Sequence, residues 1–274
     1  MADEASQKKR KICPWTVTAY LLPPGLVLGL FVVYLISPKF YLQYILEERN
    51  REEQVVEYIT VLSAFIGSLA LFYSSARLWV LSSSQSLADP LAENASDPPS
   101  GFLLRRGAAL MVLVVGLASF FLAGEEIDWG TTWFPELYPT KERTNFHNRD
   151  ALISANVLGG IFLISYFFVL PWFWHRRRLV KLPMNWTPAI PDGPVIAAVA
   201  QAYVFKGLIK NIGRKVLVPD EATGQPVIYW QYMDQFNEQK EMLIAVALLI
   251  FGVGRVLMVQ KLAKQKSAGD ADAP

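Results

Sequence analysis

Cysteine is nearly absent. Cys13 is the only one in 274 residues, so the chain can form no internal disulfide and no cysteine-rich zinc site. Histidine is almost as scarce, and the pair present, His147 and His175, cannot supply a three-histidine metal site or a histidine-box oxygenase. Charge is also thin, at 18% of residues against about a quarter in soluble domains, while 53% of residues are hydrophobic. Averaged over polar ends and loops, a mean hydropathy of +0.26 requires some windows to be almost wholly apolar. That excludes disordered, collagen-like and coiled-coil readings and argues against a soluble enzyme. There is no Walker-type glycine loop, no GxSxG, no CxxC and no internal repeat.

What the chain has instead is apolar runs of membrane-spanning length. The first, Thr16 to Ser37, carries no charge. KKRK precedes it, as it would a signal peptide, but SPKF offers no small-residue cleavage site, so the run is read as a retained anchor. Pro23 and Pro24 are expected to kink or break it. Further runs lie at about 55–81, 107–124, 151–174 and 242–259, and a weaker one at 194–212 carries Lys206 and Lys210. The sequence thus predicts an all-α integral membrane bundle of six transmembrane helices. A basic N-terminus, 1–15, precedes a transmembrane domain, 16–260, and a tail follows, 261–274. Arg255 falls close enough to the end of the last run to snorkel.

Charge counting orients the bundle. With six spans and a cytoplasmic N-terminus, the cytoplasmic pieces hold 15 Lys/Arg against 8 Asp/Glu, and the rest of the chain holds 11 against 16. This is the sign of the positive-inside bias, and it puts both termini in the cytoplasm. The basic group Lys206, Lys210, Arg214 and Lys215 runs against it. SSSQSLADPLAENASDPPSG reads as a polar cytoplasmic connector, and 175–193 as a cytoplasmic loop. Asn94 and Asn185 match the glycosylation pattern but fall on that same side. The expected partners are the lipid bilayer and a membrane protein, and no nucleic acid.

This topology gathers acids at one membrane level. Glu52, Glu53 and Glu57 enter the second span, and Glu125 and Glu126 end the third. His147, Asn148 and Asp150 enter the fourth, and Asn237, Glu238 and Glu241 enter the sixth. Carboxylates at a bilayer boundary are costly unless paired, hydrated or bound to a cation. The bland alternative is that Glu53, Glu57, Glu238 and Glu241 are favourable charges at helix N-termini, and that Asn148 or Asp150 caps a helix. Glu125 and Glu126 differ, because they end an apolar helix where its dipole disfavours anions. A divalent metal at this level would draw on Glu57, Glu125, Glu126, His147, Glu238 and Glu241, with Trp129, Asn145, Asn148 and Asn237 in support. Glu125, Glu126 and His147 are the catalytic candidates, with no role assigned among them.

GEEIDWG, followed by a loop ending TNFHN, resembles an uncharacterised family of bacterial polytopic membrane proteins with a GEEISWGQ-like motif after one span and an NLHN-like motif before the next. REEQVVEY at the second span and NEQKE at the last look similar as well. Asp128, Thr131 and Gln54 depart from the pattern, where serine, glutamine and glycine are usual. The resemblance implies a bacterial inner membrane and supports Glu125, Glu126, Trp129, Gly130, Asn145, His147 and Asn148 without naming a reaction. Alkaline-ceramidase-like membrane hydrolases are an analogy in architecture only, since this chain lacks the histidines for their zinc site.

The functional expectations are three. The chain is an accessory or assembly subunit of a membrane complex, a metal-dependent, hydrolase-like membrane enzyme acting on a lipid-like substrate, or an ion or proton transporter. The transporter ranks last because no charge lies deep in any of the five stronger runs. Reporter fusions test the shared topology: Glu93 should report inside and His147 outside, and finding both on one side would dismantle the acidic level.

Overall fold

The computed structural model describes residues 14–36, 55–82, 102–126, 155–176, 184–213, 217–219, 226–228 and 235–271. Six long helices lie among them: α1 (Pro14–Ile36), α2 (Val55–Ser82), α3 (Phe102–Glu126), α4, α5 (Gly193–Gly213) and α6 (Gln235–Ala271). Helix α4 is Ala155–Ile164 and Leu170–His175 joined through a π-helical segment, Ser165–Val169. A 3-10 turn, Met184–Ala189, precedes α5. The all-helical expectation holds apart from one short antiparallel ribbon between α5 and α6. In it β1 (Leu217–Pro219) pairs with β2 (Pro226–Ile228), with Val218 opposite Val227.

Among the described residues, three helices are long and apolar enough to cross a membrane, over Val55–Ser82, Arg106–Gly124 and Gln239–Lys264. Trp15–Leu30 and Gly159–His175 are shorter apolar stretches. Helix α5 carries Gln201, Lys206 and Lys210 among its apolar residues. Large apolar side chains, among them Leu21, Leu28, Leu62, Val80, Phe121 and Val204, point outward. Such a surface suits lipid, not water.

Two helices run on where a break or a tail was expected. Pro23 and Pro24 sit inside α1 without ending it. Helix α6 does not stop near residue 259 but continues to Ala271, within the stretch read as a tail. The π segment of α4 has a visible cause. Pro171 has no N–H to donate and its ring crowds the carbonyl four residues back, so the preceding turn widens and Leu170 N–H bonds to Ser165 O. Tyr166 and Phe167 are buried in that turn.

Small residues set how closely the three main helices approach. On α2 the buried face includes Ser63, Ala64, Gly67, Ser68, Ser74 and Ser75. Ala64 packs with Ala245, Gly67 lies against the backbone of Leu249, and Ala70 and Gly67 lie against Gly252. Numbers on α2 and α6 rise together, so these neighbours run parallel. Helix α3 runs antiparallel to α2, since Ser75 Oγ donates to Ala109 O at 2.8 Å while Ser119 Oγ donates to Ala64 O at 2.8 Å. Each such bond contributes roughly 0.6 kcal/mol in a membrane bundle.

A Cβ on Gly252 would sit 2.7 Å from Gly67 O, a backbone atom with no rotamer to move. Gly252→Val is therefore expected to destabilise the α2–α6 pair by about 1–3 kcal/mol or more. Unfolding in mixed micelles measures it. Glycine at 159, where no atom lies near a built Cβ, is expected to accept alanine without loss.

Candidate functional site

Ala64 of α2, Ala123 of α3 and Ala245 of α6 form one packed layer. From it, α2 and α6 run back to their N-termini while α3 runs on to its C-terminus, and the antiparallel register makes these the same direction. At 1.5 Å per residue, Glu126 stands roughly 5 Å beyond the layer, Glu241 about 6 Å and Glu57 about 10 Å. Three helix ends thus carry acids to one end of the bundle. The side chain of Glu57 is partly buried and belongs to the first turn of α2, where the dipole favours it. Glu241 is 27% exposed, with Oε1 3.9 Å from Lys240 Nζ.

The remaining candidates are less fully placed. Glu125, Glu126, Asn237 and Glu238 are positioned by their helices alone. Trp129, Asn145, His147 and Asn148 lie outside the described residues. Among the described residues no three His, Cys, Asp or Glu side chains stand close enough to hold a metal ion.

At the opposite end lies a centre that the sequence did not announce. Arg255 does not snorkel: it is 1% exposed and is the largest fully buried side chain described. The physical reason is directional. Side chains on a helix lean toward its N-terminus, so on α6 the arginine leans away from the near end and into the bundle, over Phe251, with the guanidinium carbon 4.8 Å from the ring centroid. Between Val259, the last residue of the apolar run, and Arg255 there are only three residues, so burial and not depth along the helix sets this arginine apart.

The guanidinium is met by the segment read as a cytoplasmic loop. Its Nη2 donates to Asp192 Oδ2 at 2.8 Å, and its Nη1 donates to Pro188 O at 3.0 Å and to Ile190 O at 3.4 Å. The carbonyl between them, Ala189 O, accepts from the Tyr166 hydroxyl of α4. Three consecutive carbonyls are thus satisfied by side chains from two helices. The local sequence explains the need: Pro188 and Pro191 cannot donate, and a chain so broken cannot satisfy its own carbonyls as a regular helix would. Asp192 then starts α5, its carbonyl accepting from Ile196 N–H at 3.0 Å. Its carboxylate benefits from that helix N-terminus as well as from Arg255.

One signal in the sequence pointed here. Asp192 is the sole acid in an otherwise basic stretch, 175–193, and stands in PDGP, a helix-start pattern. Nothing local, however, names its partner sixty-three residues away.

No family model, curated protein or solved structure matches the chain.

The two anchors of the segment differ in kind. Asp192→Ala leaves a buried guanidinium without its counter-charge and is expected to cost about 2–3 kcal/mol, held to the low end because Asp192 is 49% exposed. Tyr166→Phe removes one neutral donor and is expected to cost about 1 kcal/mol. Chemical unfolding of both variants in the same micelle should give that order.

Proposed function

We propose that this chain is a six-span integral membrane protein of a bacterial inner membrane, with both termini cytoplasmic, acting as an accessory or assembly subunit. Its acidic rim, Glu57, Glu125, Glu126, Glu238 and Glu241, is the surface offered to a basic segment of a partner membrane protein. The observation that carries this reading is the common level of Glu57, Glu126 and Glu241 beyond the Ala64–Ala123–Ala245 layer. Two of the three helices point their positive ends at the rim, and α3 points its negative end there. Glu125 and Glu126 therefore need an added cation more than the acids of α2 and α6 do.

A cation can be a partner's lysine or arginine, or a metal. Beneath the rim, α2, α3 and α6 meet through alanine, glycine and serine with their backbones close, which gives a stiff platform and supports docking over chemistry within the bundle. The second reading is a metal-dependent, hydrolase-like enzyme with His147 completing the ligand set, and it draws on the same demand at Glu125 and Glu126.

The protein purified from its own membranes in mild detergent separates them. The subunit reading expects a stoichiometric partner polypeptide that is lost in Glu126→Lys while helix content and melting stay unchanged, with no bound metal. One equivalent of divalent metal, lost in Glu126→Gln or His147→Ala, would overturn it in favour of the enzyme.

A further inference from the structure

The oxygens around Arg255 have the composition of a cation site. Pro188 O, Ile190 O and the Asp192 carboxylate converge on one planar guanidinium, and Tyr166 holds the intervening carbonyl in place. Their depth matters. Arg255 lies roughly 9 Å short of Lys261, the next charge along α6, and the segment must reach that level to touch it. The level is also set independently by α4, whose Tyr166 precedes the basic end at His175 and Arg176 by about two and a half turns. Irregular backbone at such depth is tolerated only where protein satisfies its polar groups.

We propose that residues 184–192 are a re-entrant segment whose oxygens form a seat for a guanidinium-class cation, and that Arg255 is the tethered occupant of that seat. The seat, not the arginine stem, is the specific element. A fork of parallel N–H donors suits two carbonyls and a carboxylate arranged around one plane, whereas a lysine ammonium is a point charge that cannot reach all three in that way. The carboxylate of Asp192 is half exposed, so the seat is open on that side to a small cation once the tether is removed. The guanidinium also keeps a buried Nε–H with no partner among the described residues, so the occupant is held by the Nη edge alone.

The test uses the purified full chain in mixed micelles, with melting temperature as the readout. Arg255→Met keeps a stem over Phe251 and removes the cation, and its melting temperature is expected to fall by several degrees. Arg255→Ala is expected to fall further and to recover in low-millimolar guanidinium chloride. Sodium chloride of equal ionic strength should give no recovery, and adding Asp192→Asn should abolish the rescue. At that concentration the ion's general denaturing action, which is proportional to concentration, is negligible. An Arg255→Met protein as stable as the wild type overturns the proposal. So does an Arg255→Ala protein, folded or not, on which guanidinium and sodium chloride act alike.

Discussion

Between Glu241 and Lys261 the last helix carries a single charged side chain, Arg255, and the bundle around it is arranged so that this charge never meets lipid. An arginine in an apolar bundle is costly unless its donors find acceptors. Here the acceptors come from a stretch that, for its own reasons, cannot pair its carbonyls. Two deficits cancel: a charge needing oxygens and a proline-broken backbone needing donors. The π turn of α4, the N-terminus of α5 and the middle of α6 are all tied to that exchange through Tyr166, Asp192 and Arg255.

The rest of the core follows a different rule. Lipid offers no hydrophobic reward for bringing two apolar helices together, so association depends on close fit and on donors that bridge. Gly67 against Gly252 supplies the fit, and Ser75 and Ser119 supply bridges to α3 carbonyls or from α3 to α2. Larger residues such as Phe167, Phe251 and Met242 fill the core away from these close contacts.

Much of this architecture was legible because uninterrupted apolar length is a local property. A described helix falls on each of the six runs read from the sequence, and among the described residues three are apolar and long enough to span. The level of the acids was legible by counting along helices, while the direction of each side chain was not, since neighbouring Glu125 and Glu126 differ by about 100° around the axis. Arg255 was misread because a charge close to the end of an apolar run is ordinarily free to reach water. The ribbon of β1 and β2 left no trace: three residues per strand are too few for an alternating pattern to register.

The parallel pairing of α2 with α6 constrains the count of crossings by parity. Two neighbours that run the same way through a slab must be separated along the chain by an odd number of traverses. Helix α3, antiparallel to α2, is one of them. Among the described helices, α4 and α5 then either both traverse or both turn back, which ties the lysine-bearing α5 to the apolar α4. The lysine-bearing helix and its more apolar predecessor share one fate.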